Sequence, residues 1–161
     1  MDRLWTPWRF DYISKVDLAD TCVFCRMLEE ANDRDNYILR RGEHTFMVLN
    51  LFPYTSGHLL IVARRHISTL SDASDEELHE FIALSRQCEK ALFEEYHPNG
   101  FNIGFNVGRA AGAGIEQHLH MHVLPRWFGD SNFVSVIGET RILPEDLGAT
   151  YKRLLPYFRN P

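Results

Sequence analysis

Only three of the 161 residues are cysteine, and no apolar run approaches the ~18 residues that a membrane-spanning helix needs. So few cysteines exclude a disulfide-built scaffold, and a chain of this length buries about 70% of its unfolded surface without one. A basic excess is missing too. Seventeen Lys and Arg face 22 Asp and Glu, a formal charge of −5. That argues against a general nucleic-acid binder while leaving room for a local cationic pocket. There is no internal repeat and no low-complexity segment. Apolar residues make up 45% and charged residues 24%, as in ordinary globular domains. The N-terminus, Met1-Asp2-Arg3-Leu4-Trp5-Thr6-Pro7-Trp8-Arg9, has no secretory apolar core. The expectation is one domain over residues 1–161, working in a reducing cytoplasm.

Residues 1–20 form an irregular arm rich in aromatics and charge. Cys22–Ala31 reads as a short helix starting near Thr21 and ending in a polar turn at Asn32–Asp35. Two β-branched and aromatic runs, Thr45–Leu51 and His58–Ala63, read as strands joined by Phe52-Pro53-Tyr54-Thr55-Ser56-Gly57. Ser74 followed by Glu77 is a capping box. Leu78, Phe81, Ile82, Ser85, Cys88, Leu92 and Tyr96 then recur on one helical face, up to a stop at His97-Pro98-Asn99-Gly100. Cys88 on that face reads as a small buried hydrophobe. Phe101–Val107 is a further strand, followed by a loop of small residues, Gly108–Gly114. Gln117–Leu124 alternates strictly and is ended by Pro125; a last helix is expected from Pro144 to Tyr157. This order predicts an α+β fold with a mostly antiparallel sheet.

The most informative stretch is His118-Leu119-His120-Met121-His122. Side chains alternate across a strand, so the three imidazoles share one face at spacings of roughly 6.5–7 Å. Three rings, each with a donor and an acceptor, make poor core material. Two chemistries fit: metal ligation by His-x-His, or nucleophilic catalysis by one imidazole supported by its neighbours. The glycine loop just upstream can turn backbone N–H groups toward an oxyanion. Beside a row of imidazoles, that suggests attack on phosphorus. Cys22-x-x-Cys25 adds two thiols at a common zinc spacing.

His118-Leu119-His120-Met121-His122 with Val123-Leu124-Pro125-Arg126 resembles the signature of the histidine triad (HIT) nucleotide hydrolases and transferases. Cys22-Val23-Phe24-Cys25, Val48-Leu49-Asn50, Gly57-His58-Leu59-Leu60-Ile61-Val62, Arg65-His66 and Phe101–Asn106 follow in family order. The likeness covers residues 22–126 as core, leaving 127–161 as a C-terminal extension. The flanks, Leu4–Arg9 and Pro125–Phe133, look most like the bacterial branch that contains diadenosine tetraphosphate phosphorylases.

The resemblance implies a sheet of about five strands with one long and one or two short helices. It implies that His120 is the nucleophile toward an α-phosphorus, forming a nucleotidyl-histidine that phosphate or water then releases. His122 would hold phosphate oxygens and assist proton delivery. Amides around Ala113 and Gly114 would stabilise developing charge, Asn106 would stand at the phosphates, and Asn50 would bind the ribose. Val23, Phe24, Met27, Val48 and Leu51 would line a slot for the base. Apart from the resemblance, Trp127 lies close enough to the triad to flank a bound base or a subunit interface, and reads equally as core. Cys22, Cys25, His66 and His118 would hold a structural zinc, and no organic cofactor is implied. The partners implied are a purine nucleotide or dinucleoside polyphosphate and a second copy of the chain, with the long helix in the interface. The Ser or Thr that many relatives carry before the triad is absent; Ala113 and Gly114 stand there. Phosphoramidate or adenylate-ester hydrolysis, and nucleotide binding without turnover, are the competing activities.

Overall fold

The computed structural model describes residues 22–30, 32–131, 135, 137–138 and 144–159. The arm at 1–20, Thr21 and Ala31 lie outside them. Among the described residues three α-helices and five strands follow the order α1 (Val23–Glu29), β1 (Ile38–Arg41), β2 (Thr45–Leu49), β3 (Leu59–Ala63), α2 (Asp75–Tyr96), β4 (Gly100–Phe105), β5 (His120–Arg126) and α3 (Leu147–Arg159). The strands form one antiparallel sheet in the order β1-β2-β3-β5-β4. No helix among the described residues is long and apolar enough to cross a membrane.

The sheet separates two apolar clusters. Met47, Leu49, Leu59, Ile61, Met121 and Val123 face α2 and α3 and pack on Phe81, Leu84, Cys88, Leu92, Tyr151 and Leu154. Phe46, Val48, Leu60 and Val62 face the other way and pack on Phe24 and Met27 of α1. Every residue of β2 and β3 is therefore buried, because both faces are covered. Register fixes the rest. Val62 stands opposite His120 and Leu60 opposite His122, so both imidazoles emerge on the α1 face.

Local chemistry explains the element ends. Ser74 Oγ accepts from Glu77 N–H, while the Glu77 carboxylate accepts from Ser74 N–H at 2.8 Å, closing the capping box. Helix α2 stops at His97 in the left-handed region, φ 47°. Cys88 is fully buried, as its helical face required. Ile82 is not: at 62% exposure it stands off the buried face, which runs through Phe81, Leu84, Ser85, Cys88, Ala91 and Leu92.

Two strand readings need correction. Strand β1 is short and ends in Arg40-Arg41, so it carries no apolar run to mark it. Pro125 does not end the triad strand, which continues to Arg126. Beyond Val123 the β3 ladder has ended. The Pro125 carbonyl points to that open side, where Thr55 Oγ1 donates to it at 3.2 Å, so the missing N–H removes no ladder bond. Helix α3 starts later than Pro144, at Leu147, where Asp146 Oδ1 accepts from Ala149 N–H at 3.0 Å.

Glu80 of α2 clasps the β1–β2 turn. Its carboxylate accepts from the N–H groups of Glu43, His44 and Thr45 at 3.0, 2.7 and 2.6 Å, and from Thr45 Oγ1 at 3.0 Å. A Cβ on Gly42 would meet Glu80 Oε1 and push that carboxylate off the turn. Glu80→Ala strands the buried Thr45 donors and should cost about 1–3 kcal/mol in urea unfolding; an unchanged midpoint would refute the clasp.

Candidate active site

His118 precedes β5 and His120 and His122 lie within it. His118 and His120 are buried and His122 is half-buried. Hydrogen bonds to carbonyls settle two tautomers, since a carbonyl can only accept. His118 Nε2–H donates to Ala63 O at 2.8 Å, leaving its Nδ1 as the lone-pair atom. His120 Nδ1–H donates to the His118 carbonyl at 2.7 Å, leaving Nε2 with the lone pair. Burial holds both rings below the usual histidine range, so both are neutral near pH 7.

A fourth histidine completes the row. His58 was expected to bond backbone, and its Nδ1 does accept from Tyr54 N–H at 3.1 Å. That forces its proton onto Nε2, which lies 2.9 Å from His122 Nδ1 and donates to it. Neutral His122 therefore carries its own proton on Nε2. Burial, with His120 beside it, pushes the pKa of His122 down to about 4. The signal for His58 lay in alternation: residues 58, 60 and 62 share the face that the antiparallel register lays against 120 and 122.

The structure gathers most of the other expected residues. Phe24, Met27 and Val48 are buried together, with Val23 at the border of their cluster. The Phe24 ring lies 5.3 Å from the rings of both His118 and His120. Leu51 is exposed, just past the end of β2. Asn50 is held beside His58, with its Oδ1 accepting from Phe52 N–H at 3.0 Å. In the loop, Gly108 and Gly112 adopt φ values of +82° and +88°, where a side chain would be strained. They bracket a single 3₁₀ turn at Arg109–Ala111 and bring Gly112 beside Asn106. Ala113 N–H closes back on Gly108 O at 3.4 Å, so that amide turns into the loop, while Gly114 is exposed.

Trp127 is not brought to the slot. Its indole N–H donates to Tyr96 O at the end of α2, and the ring lines a separate cavity. Arg65 is bonded to Glu77, Arg126 to Asp130 and Arg64 to the Gly42 carbonyl, so these three cations already have partners; Arg109 is exposed.

Behind the triad, Cys22, Cys25, His66 and His118 converge. Their four ligand atoms lie within 4.8 Å of one another. Cys22 Sγ and Cys25 Sγ stand 3.3 and 3.7 Å from His118 Nδ1, and Cys25 Sγ stands 3.3 Å from His66 Nδ1. Two thiols and two imidazoles suit a tetrahedral zinc. The fit is specific at His118, because its Nε2–H is tied to Ala63 O and its lone pair is aimed at the sulfurs. Burial and the adjacent Cys22 push the Cys25 thiol up to about 11. A bare site thus holds a protonated thiol there, and a cation is what stabilises the thiolate.

A family model described as "HIT domain" matches residues 32–129. The chain belongs to the HIT family. It is accordingly a nucleotide hydrolase or transferase, and its five-stranded antiparallel sheet is the fold of its structural neighbours. It is 36% identical over 162 residues to an AP-4-A phosphorylase of Mycobacterium tuberculosis, covering 96% of this chain and 83% of the relative. It is 29% identical over 132 residues to the protein hit of Bacillus subtilis, covering 80% and 88%. Among solved structures, a zinc-bound histidine triad family protein from Mycobacterium smegmatis superposes with a TM-score of 0.70 at 28% identity, covering 86% of this chain and 93% of that one.

The low pKa of His122 has a consequence for stability. Between its folded value of about 4 and the ordinary 6.5, the unfolded chain binds a proton that the folded chain refuses. This ring's contribution is therefore full above pH 6.5 and lost as pH falls toward 4. His122→Asn should flatten that part of the melting-temperature profile; an unaltered slope would contradict a neutral buried ring.

Proposed function

We propose that the protein cleaves a dinucleoside polyphosphate at the α-phosphorus through a nucleotidyl-His120 intermediate. The observation that carries this is the bond from His120 Nδ1–H to the His118 carbonyl, which leaves Nε2 as a fixed, unprotonated nucleophile on the face shared with His122. The 36% identity to an AP-4-A phosphorylase supports the substrate class. The lone pair of Nε2 forms the N–P bond, and the bond from phosphorus to the bridging oxygen breaks, releasing a nucleoside polyphosphate. Its terminal oxygen is stable as an anion near pH 7, so a hydrogen bond from His122 Nε2–H suffices. Phosphate or water then attacks phosphorus, the N–P bond breaks with its electron pair returning to Nε2, and an attacking water gives its proton to solvent.

The first nucleoside is assigned to the apolar surface around Phe24, Met27 and Val48, with Val23 and Leu51 at its border and Asn50 toward the ribose. Asn106 and the loop at Ala113 and Gly114 are assigned to the phosphates. Cys22, Cys25, His66 and His118 would hold zinc, which would supply structural bracing between α1 and the triad strand. A second copy of the chain is supported by the exposed Ile103 on edge strand β4 and by Ile82 and Phe93 exposed on α2. A reducing cytoplasm suits the paired thiols.

His120→Ala should lower turnover of diadenosine tetraphosphate by several orders of magnitude while nucleotide still binds. Alkaline quenching of the wild type should trap an acid-labile nucleotidyl adduct, and full turnover by the variant would overturn the assignment. Inorganic phosphate should redirect the product to a nucleoside diphosphate; a monophosphate alone would make the enzyme a hydrolase. Elemental analysis should find zinc bound, and chelation should lower the melting temperature; a metal-free protein of equal stability would remove the metal.

A further inference from the structure

On the His face, β5 continues past the triad through Leu124 to Arg126, about 13 Å beyond His122 at roughly 3.3 Å per residue. There it meets a cavity of about 800 Å³, within the size range of small-molecule sites. We propose that this cavity is a second nucleoside subsite, taking the uncharged base-and-ribose half of the dinucleoside polyphosphate. The assignment rests on His120 acting at the α-phosphorus.

Three observations support it. Tyr54 joins the cavity to the triad: it lines the cavity, and its ring stacks on His122 at 6.1 Å and 16°. Among the described residues the walls are also wrong for phosphate. Arg126 is held by both oxygens of Asp130 at 2.6 and 3.0 Å, and Arg153 by Glu95 and Glu145 at 2.6 and 2.9 Å. With both guanidinium groups neutralised, the cavity offers aromatic surface from Tyr54, Tyr96 and Trp127, together with hydroxyls. Such a lining suits a base and a ribose, which need stacking and neutral hydrogen bonds. Finally, Ser56 lines the cavity, and among the described residues its hydroxyl is the buried side-chain polar atom that has no hydrogen-bond partner. The hydrogen-bonding capacity of that hydroxyl is unspent in the free protein.

The test compares diadenosine tetraphosphate with adenosine 5′-tetraphosphate, which keeps the phosphate chain but lacks the second nucleoside. Ser131→Trp obstructs the cavity from its exposed rim, and Ser56→Leu fills it from within; melting curves check both folds. KM for the dinucleotide should rise about tenfold or more, the scale of one lost base–aromatic stack, while KM for the mononucleoside form stays within about twofold. Parallel changes in both, or none in either, would overturn the subsite. Should the wild type turn over neither compound, the nucleophile reading fails, and titration with methylene-bridged analogues judges the cavity instead. Tighter binding of the dinucleoside form, lost in the variants, supports the subsite. Equal binding of the two forms by the wild type overturns it.

Discussion

A single hydrogen bond organises the reactive end of the molecule: the His120 ring donating to the backbone carbonyl of His118. It fixes which nitrogen is free, and it does so through a residue whose own ring is tied at both ends. His118 is anchored on one side by the Ala63 carbonyl of β3 and aimed on the other at two cysteines. The His120 ring therefore inherits its orientation from the sheet and from the sulfur cluster together. The Phe24 ring, carried between the two cysteines, touches both imidazoles and closes the same unit from α1.

The second imidazole pair is governed in the same way from the opposite side. A backbone N–H of Tyr54 sets the proton of His58, and His58 sets that of His122. Burial holds the His118, His120 and His122 rings neutral, and their hydrogen bonds make them directional. Neutral imidazoles offer donors and lone pairs without adding negative charge of their own.

Much of this was legible in the residues. Period-two spacing put the three imidazoles on one face, and the Ser74–Glu77 box and the His97 stop bounded α2 within a residue. What escaped reading was decided by partners far away in sequence. Strand β1 exists because Ile38 and Arg40 find β2, not because its own pattern marks it. Pro125 stays in its strand because the β3 side is already empty there. Ile82 matched the helical spacing yet faces outward, because Phe81 and Leu84 already hold the buried stripe. His58 looked like a backbone-bonding residue, and only the β3–β5 register reveals its second partner. Trp127, adjacent to the triad in sequence, lines the cavity past the triad, with its indole N–H donating to Tyr96 O at the end of α2.

Strand β5 is an interior strand, laddered to β3 on one flank and to β4 on the other. Its amides are released to solvent only when the sheet itself opens. His120 and His122 are thus mounted on a segment whose amides should be among the slowest to exchange, while Phe24 and the glycine turn belong to a short helix and to a loop. Local opening falls first on those outer parts, while the imidazoles of the strand keep their places.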